Sequence, residues 1–449
     1  MKSQNRGLVE NIFEVDSLQS VFKSSNKESP LNKLISQKYF VSDKNRVLVN
    51  IAANDTDEEK PWNSPSFELA GPREKVFFES ENLVAAIVTC GGLAPGLNNV
   101  VQSVVSCLYE RYGVNNIFGV PYGYRGFEHD VSSFELSFPW MSLDVNSVHS
   151  IDYEGGSILG SGRGSMDAKA VVDALLKKNV NVLFTIGGDG TLAGANLIYE
   201  EIKRRKQPIS IIGIPKTIDN DILWVSKSFG FETALEMAIS ALKCAQAEAR
   251  SLYNGVGLVK IMGRNCGLLT ATAAASIHDL DFVLIPEVPL TLSGEKGFLK
   301  HLRAKIKKKG YCTIALAEGA GQTLFSDEKI EYDESGNKKL KDIGSFLKDS
   351  IVEDFHAHNL ECNLKYIVPS YMLRAQTTLA GDSLFCKMLG ENAVHAAMAG
   401  KTGCMIGYAH ETFTHVPLKA VCMAKKSLNV QDPLWLSTLT STGQPEVWS

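Results

Sequence analysis

Three clusters in the sequence combine glycine with residues that can handle a phosphoryl group, and each follows a short apolar run. They are residues 89–98 (TCGGLAPGLN), residues 186–191 (IGGDGT) and residues 215–221 (PKTIDND). Glycine lets backbone N–H groups approach a phosphate closely, and a helix that begins next presents its positive end to the same anion. The first cluster taken alone also fits a tight turn between a strand and a helix.

The second cluster sets one carboxylate, Asp189, among three glycines. Such a carboxylate can hold Mg2+ beside a polyphosphate without steric conflict. Thr191 either belongs to this site or only caps the helix that follows. The cluster therefore predicts a place where a metal ion and a polyphosphate meet.

The third cluster contains two acids, Asp219 and Asp221, two positions apart at the end of an apolar run. A carboxylate in this place can accept a proton from an attacking hydroxyl during phosphoryl transfer. The alternative is an Asx-turn whose acids are solvated. Together with the other two clusters, the pattern favours a general base.

Further segments place arginine or glutamate beside glycine or at a predicted strand end. They are residues 160–164 (GSGRG), 262–264 (MGR), 317–319 (AEG) and 371–374 (YMLR). Arginine suits phosphate because its planar fork donates two hydrogen bonds at once. Each arginine alone also fits a surface ion pair, but three of them at strand ends indicate binding of a phosphorylated ligand.

The elements that position these residues are short, continuously apolar runs separated by longer helical segments. The runs are residues 83–90, 180–186, 209–214, 255–261, 282–285, 313–317 and 366–368. Runs of this kind are typical of parallel strands that are buried on both faces. The sequence therefore predicts an α/β fold of two doubly wound lobes with mainly parallel sheets, and an N-terminal extension. Residues 1–80 are polar and form this extension, which we expect to pack on the body or on a neighbouring subunit.

Composition excludes several classes of protein. A net charge of −4 without a long block of one sign argues against nucleic-acid binding and against an electrostatic membrane anchor. No run of 18 apolar residues and no apolar run near the start are present, so neither a transmembrane helix nor a signal peptide is expected. The nine cysteines are odd in number and lack CxxC spacing, which predicts reduced thiols in a cytoplasmic protein.

With these motifs, the chain resembles the phosphofructokinase family across roughly residues 71–407. The series GGLAPGLN, GSGRG, GGDGT, PKTIDND, MGR, AEG and PSYMLR occurs in the family's order. The GPRE sequence at residues 71–74 is similar to the ATP-dependent subgroup of plants and trypanosomatids. The resemblance implies a donor lobe over residues 81–230, completed by part of 375–449, and a fructose 6-phosphate lobe over residues 231–374.

The resemblance also implies roles for individual residues on the donor side. The residues expected to bind ATP are Gly92, Tyr124, Arg163, Gly164, Gly188, Asp189, Gly190 and Thr191. Among them, Asp189 directs Mg2+, the implied cofactor, and Tyr124 lies near the nucleotide base. Two positions report the choice between ATP and pyrophosphate as donor, Gly190 and Lys216. Glycine at 190 leaves room for the α-phosphate of ATP, whereas lysine at 216 occurs with either donor, so ATP is expected.

On the acceptor side, the resemblance implies binding of fructose 6-phosphate and phosphorylation of its C1 hydroxyl. The residues expected to do this are Thr217, Asp219, Met262, Gly263, Arg264, Glu318, Lys365, Tyr371 and Arg374. Asp219 is the implied base, while Tyr371 and Arg374 hold the 6-phosphate. Lys365 stands where the family often has an arginine that crosses to another subunit, which fits a homodimer or homotetramer.

Three positions depart from the bacterial pattern of the family. Leu93 replaces an acid, Gly255 stands where a second cross-subunit arginine is often found, and Tyr371 replaces a histidine. Bacterial rules of subunit sharing and allostery therefore do not transfer directly. Three alternatives remain: a pyrophosphate-dependent enzyme, a different sugar or lipid kinase with a GGDGT loop, and a non-catalytic regulatory homologue.

Overall fold

The computed structural model describes residues 12–50, 65–127, 139–164, 166–325, 331–332 and 339–448. The chain forms two compact units, each assembled from three segments. The first unit consists of Met1–Thr217, Ile222–Phe229 and Thr377–Lys425, and the second of Ile218–Asp221, Gly230–Gln376 and Lys426–Ser449. Within the described ranges, no helix has the length and apolar character that a membrane span requires.

The first unit is built around a sheet that has nine strands in its described part. In spatial order the strands are Arg46–Leu48, Ser66–Leu69, Thr412–Pro417, Cys404–Ala409, Ser210–Pro215, Val182–Gly187, Val84–Thr89, Asn116–Val120 and Met141–Ser142. The five strands from Cys404–Ala409 to Asn116–Val120 run parallel, and the strands outside them pair antiparallel. These outer antiparallel strands were not predicted from the sequence.

Helices cover both faces of this sheet. The α-helices are Leu97–Ser106, Ala168–Lys177, Asp189–Arg205, Ala380–Met398 and Leu418–Val421, and a π-helical turn, Cys107–Arg111, extends the first of them. Short 3-10 helices are Leu18–Ser20, Pro30–Lys33, Gln37–Tyr39, Ser80–Asn82, Gly123–Phe127 and Ile151–Tyr153. Neighbouring residues of the strand Ser210–Pro215 pack into different hydrophobic cores. Ile212 packs with the helices Leu97–Ser106 and Ala380–Met398, whereas Ile211 packs with the helices Ala168–Lys177 and Asp189–Arg205. This is why the central strands read as continuous apolar runs.

The described part of the predicted extension is integrated into the first unit. Besides two strands of the large sheet, it contributes Asp16–Ser17, which pairs with Lys401–Thr402, and Lys27–Glu28, which pairs with Lys75–Val76. Phe13 and Phe67 contact each other and Trp224 at ring-centroid distances of 5.4 to 5.8 Å. Aromatic packing of this kind stabilises the attachment.

A buried ionic cluster fastens the same segment to the sheet. Arg73, from the GPRE sequence, donates to Glu68 at 2.6 Å and to Asp43 at 2.7 Å. Glu68 also pairs with Lys401 at 3.0 Å and with His415 at 3.1 Å. Burial alone would raise the pKa of Glu68, but the hydrogen bond to His415 and the charges of Lys401 and Arg73 lower it to about 2. Glu68 can therefore stay ionised inside the fold because its partners compensate the burial.

The second unit contains a parallel sheet of four strands in its described part. Their order is Phe282–Leu284, Tyr311–Ala317, Gly255–Ile261 and Asn363–Ile367. The α-helices are Phe231–Arg250, Leu268–Ala275, Phe298–Lys309, Ile343–Ala357 and Pro433–Thr442, with 3-10 helices Gln322–Phe325 and Ser370–Leu373. Gly310 adopts a left-handed conformation, with φ 83°, and ends the helix Phe298–Lys309.

The predicted α/β fold with mainly parallel sheets is confirmed, and the seven predicted strands all form with small shifts of their ends. The division into lobes differs in detail from the one drawn along the sequence. Ile218–Asp221 groups with the second unit, although it lies within the stretch assigned to the donor lobe. Lys426–Ser449 also belongs to the second unit, which was not foreseen from the sequence.

All nine cysteines lie in the described part and are free thiols.

Candidate active site

The donor-side clusters meet at one edge of the large sheet. The strands Val84–Thr89, Val182–Gly187 and Ser210–Pro215 are parallel neighbours, and their last residues are in register: Thr89 pairs with Ile186, and Pro215 with Gly187. The clusters that follow these strands therefore leave the sheet side by side. Ligand sites of open α/β sheets lie at this carboxyl edge.

The first glycine cluster is held by the GSGRG segment. Gly91 N donates to the Gly162 carbonyl at 2.9 Å, and the Ser161 hydroxyl donates to the Gly91 carbonyl at 2.7 Å. Gly91 has φ 87°, a conformation that a side chain disfavours. Arg163 and Gly164, next in the chain, are exposed to solvent. Arg163 therefore directly follows a segment that is held by these hydrogen bonds, and it remains exposed to solvent.

The GGDGT cluster forms the first turn of the helix Asp189–Arg205. The Thr191 amide donates to the Gly188 carbonyl at 2.9 Å, so Gly188 is the N-cap and Asp189 opens the helix. A Cβ at Gly187 would lie 2.1 Å from the Thr191 hydroxyl oxygen, which excludes any larger residue there. Among the described residues, apart from its chain neighbours and the nearby backbone of its own helix, no heavy atom comes within 4 Å of a Cβ built at Gly190. Glycine is therefore needed at 187 for packing, whereas the space at 190 is open.

Lys216 connects the third cluster to the other two. Its backbone amide donates to the Gly187 carbonyl at 3.0 Å, and its buried ammonium donates to the carbonyl oxygen of Gly92. The Thr217 carbonyl accepts a hydrogen bond from the Ser228 hydroxyl at 2.7 Å. These bonds fix the end of the strand Ser210–Pro215 against both glycine-rich turns.

Tyr124 lies against the GGDGT helix. Its hydroxyl donates to the Thr191 carbonyl at 2.8 Å, and its ring atoms come within 2.8 Å of a Cβ built at Gly194. Burial raises the pKa of Tyr124 well above its ordinary value, so the phenol stays neutral. The residue expected near the nucleotide base therefore supports the first turns of the helix that carries Asp189.

The acid of the GGDGT cluster suits a Mg2+ ion that arrives with a phosphorylated ligand. Within the described residues, no group of three or more His, Cys, Asp or Glu side chains could hold a metal by themselves. Mg2+ is commonly held by one or two carboxylates together with substrate phosphates, and it keeps several waters. Asp189, whose side chain is 29% exposed at a helix N-terminus, fits that mode.

The acceptor-side clusters lie at the carboxyl ends of two paired strands in the second unit. Ile261 is in register with Ala317, so Met262, Gly263 and Arg264 emerge next to Glu318. The Glu318 amide donates to the Ile261 carbonyl at 2.9 Å. This pairing brings two separate sequence motifs together.

Glu318 sits among three cations. Burial raises the pKa of its carboxyl, and the Gly263 amide and the charges of Lys260, Arg264 and Arg374 counteract part of that increase. Lys260, which the sequence analysis did not single out, also donates to Asp342 at 2.6 Å. Its signal in the sequence is a single lysine in the otherwise apolar strand Gly255–Ile261. The surroundings of Glu318 therefore suit a polar ligand with an anionic group.

The remaining predicted residues lie in or next to the 3-10 helix Ser370–Leu373 and on the strand Asn363–Ile367. The Arg374 guanidinium carbon lies 5.1 Å from the centroid of the Tyr371 ring, and the Tyr371 side chain is exposed. Lys365 is exposed in the middle of the edge strand Asn363–Ile367, opposite Gly257. Arg374 thus joins the cluster near Glu318, whereas Lys365 lies on the strand itself and not at its carboxyl end.

Asp219 and Asp221 belong to the second unit and lie near Cys266, two positions after the MGR motif. Burial raises the pKa of the Cys266 thiol to about 12, and the charges of Glu287, Asp221 and Asp219 add to this. Asn220, between the two acids, has φ 52° and is buried, so the segment turns sharply there. This turn lies between the two acids that act on Cys266.

Comparison with known proteins identifies the family of the chain. The family model described as Phosphofructokinase matches residues 84–397. An ATP-dependent 6-phosphofructokinase from Borreliella burgdorferi is 43% identical over 439 residues, covering 96% of this chain and 97% of that protein. ATP-dependent 6-phosphofructokinase 7 from Arabidopsis thaliana is 45% identical over 381 residues, covering 84% and 77% of the two chains.

Solved structures agree on the fold. A pyrophosphate-dependent phosphofructokinase from Nitrosospira multiformis aligns with a TM-score of 0.66 at 18% identity, covering 82% of this chain and 93% of the other. Phosphofructokinase from Saccharomyces cerevisiae aligns with a TM-score of 0.60 at 24% identity, covering 80% and 48% of the chains. With its motifs, its sheets and these relatives taken together, the chain belongs to the phosphofructokinase family.

Proposed function

We propose that this protein is an ATP-dependent 6-phosphofructokinase, which transfers the γ-phosphoryl group of ATP to the C1 hydroxyl of fructose 6-phosphate in glycolysis. The observation that carries the proposal is the convergence of three glycine-rich or acidic clusters at the carboxyl edge of one sheet. Relatives named ATP-dependent 6-phosphofructokinase, similar over 84% and 96% of the chain, support the same conclusion.

On the donor side, Gly92, Arg163, Gly164 and the first turn of the helix Asp189–Arg205 bind the polyphosphate. Backbone amides at a helix N-terminus favour an anion there. Asp189 holds Mg2+, which supplies positive charge to the phosphates when it is bound. The open space at Gly190 accommodates the α-phosphate of ATP.

On the acceptor side, Tyr371 and Arg374 bind the 6-phosphate, and Glu318 with Met262, Gly263 and Arg264 contacts the fructose. Asp219 accepts the proton of the C1 hydroxyl as the new P–O bond forms. Thr217 stands beside that acid in sequence. The presence of both Asp189 and Asp219 argues against a regulatory homologue that has lost its chemistry.

One observation keeps pyrophosphate as a second candidate donor. Lys216 is compatible with a pyrophosphate oxygen as well as with ATP. We further propose that the enzyme acts in the cytoplasm and assembles as a homodimer or homotetramer, in which Lys365 reaches the sugar phosphate of a neighbouring subunit.

The test is a coupled assay of the purified protein with fructose 6-phosphate and Mg2+, run in parallel with ATP and with pyrophosphate. We expect kcat/KM with ATP to exceed that with pyrophosphate by orders of magnitude. Turnover with pyrophosphate and none with ATP would overturn the choice of donor. Turnover with neither donor would overturn the activity itself.

A further inference from the structure

The segment that follows the strand Thr412–Pro417 is anchored beside the GGDGT helix. Leu418 and Val421 are buried in the same core as Leu192 of that helix. The indole Nε1 of Trp224 donates to the Ala420 carbonyl at 3.1 Å. These contacts hold Val421 close to the donor-side clusters, so the residues that follow it begin there.

Lys425 extends from this segment to the acid of the GGDGT cluster. Its ammonium nitrogen lies 3.4 Å from Asp189 Oδ2, and the two side chains are 55% and 29% exposed. The charge of Asp189 also acts on the Cys422 thiol, whose pKa is raised by burial and raised further by that charge. The segment therefore lies close to Asp189 in space, although no sequence motif identifies Lys425 as a site residue.

We propose that Lys425 is a further positioning residue of the donor site, which neutralises Asp189 whenever Mg2+ is not bound there. The inference deepens the proposed function and rests on it. A carboxylate at this helix N-terminus repels the polyphosphate of a nucleotide, although the helix end itself attracts anions. With Lys425 beside Asp189, the site keeps its attraction for polyphosphate before the metal ion arrives.

Binding of ATP in the presence of EDTA tests this role without turnover. We expect Lys425→Met to weaken metal-free ATP binding in isothermal titration calorimetry by about threefold to fivefold, the range for an ion pair of this exposure. Lys425→Arg should retain the wild-type affinity because it keeps the charge. In excess Mg2+, the loss caused by Lys425→Met should fall below about twofold, since the metal ion then neutralises Asp189.

Lys206→Met is the matched control. Lys206 is exposed just after the last residue of the same helix, far from Asp189 along its axis, and the variant makes the same change of charge. We expect it to bind metal-free ATP as the wild type does. A loss equal to that of Lys425→Met would mean that net charge alone is responsible, and would overturn the proposal.

A double-mutant cycle with Asp189→Asn shows whether Lys425 acts through Asp189. In the Asp189→Asn background, Lys425→Met should leave metal-free ATP binding unchanged, because no carboxylate is left to neutralise. An undiminished loss in that background would show that Lys425 contacts the nucleotide directly, and unchanged binding in both backgrounds would show that the ion pair has no role. Either result overturns this inference alone, whereas a wild-type protein that binds no ATP with or without Mg2+ overturns the proposed function as well.

Discussion

The ammonium of Lys216 donates a hydrogen bond to the carbonyl oxygen of Gly92, a residue 124 positions earlier in the chain. The side chain is buried, and its backbone amide donates to Gly187 at 3.0 Å. Lys216 therefore ties together two turns of the donor side before any ligand is considered. Because its ammonium has this structural task, a lysine at 216 is weak support for pyrophosphate as the donor.

The choice of donor is then decided by the open space at Gly190, which Gly190→Asp tests. An aspartate there would place a negative charge against the α-phosphate of ATP, so kcat/KM for ATP should fall about tenfold or more. The fold should tolerate the change, since the new Cβ meets no described heavy atom within 4 Å beyond its chain neighbours and its own helix backbone, and an acid suits the first turn of a helix. Steady-state kinetics with ATP at saturating fructose 6-phosphate, with a melting curve, measure both effects.

Gly190→Asn is the control for this experiment, because it adds nearly the same volume without the charge. We expect it to lose less ATP activity than Gly190→Asp. Equal losses would attribute the effect to size, and wild-type activity in both variants would mean that position 190 does not face the donor.

The role of Asp219 can be separated from that of its neighbour Asp221. If Asp219 accepts the C1 proton, Asp219→Asn should lower kcat by about 100-fold or more while KM for both substrates changes little. Asp221→Asn removes an equal charge two residues away and should lower kcat much less. Initial-rate kinetics of both variants provide the comparison, and near-normal kcat in Asp219→Asn would remove this residue from the mechanism.

Arg374 offers a test of sugar-phosphate binding. Arg374→Ala should raise KM for fructose 6-phosphate by about 10-fold to 100-fold, the range for a lost pair of charge-assisted hydrogen bonds, and leave KM for ATP nearly unchanged. Arg374→Lys keeps the charge but not the planar fork, so it should recover only part of the affinity. Equal increases in both KM values would place Arg374 away from the sugar phosphate.

Three of the five parallel strands of the large sheet and all four of the second sheet were predictable from sequence because they form continuous apolar runs. The run at residues 83–90, for example, forms the strand Val84–Thr89. The strand Thr412–Pro417 was not predicted, because the fully buried Thr414 and His415 interrupt its apolar pattern. Its partner strand Cys404–Ala409 is apolar and was not predicted either. Burial of such polar groups depends on partners that the local sequence does not reveal.

The strand Ser66–Leu69 is a clearer example of burial that the local sequence does not reveal. Its Glu68 is buried only because Lys401, 333 positions later, and Arg73 neutralise it. Lys425 was missed on the donor side for a related reason: it is an exposed lysine without a motif, and only the fold brings it to Asp189. Glycine-rich clusters at strand ends, in contrast, can be recognised from a few consecutive residues of the sequence.

Two buried histidines make the stability of the first unit depend on pH. His395 is buried with Nδ1 2.8 Å from the Tyr112 hydroxyl, and burial, with a contribution from the charges of Arg111 and Arg73, lowers its pKa to about 3. Burial also lowers the pKa of His415. Both imidazoles therefore stay neutral in the folded protein at a pH where they would bind protons in the unfolded chain.

The sign of the effect follows from this difference in proton binding. Above the ordinary histidine pKa of about 6.5, neither state binds the proton and the full stability is present. As the pH falls from about 6.5 towards 3, His395 binds a proton in the unfolded chain but not in the folded chain. The unfolded state is therefore favoured, and the folded state loses stability. For His395 alone, linkage predicts a loss of about 2 kcal/mol between pH 7.5 and pH 5.

His395→Asn removes the titrating ring and keeps an acceptor for the Tyr112 hydroxyl. We expect the variant to be less stable than the wild type at pH 7.5, because a packed ring is lost, but to lose less of its melting temperature between pH 7.5 and pH 5. The exposed His149→Gln serves as the control and should keep the wild-type difference between the two pH values. Melting curves of the three proteins at both pH values decide the matter: if His395→Asn loses as many degrees as the wild type, burial of His395 does not cause the acid sensitivity.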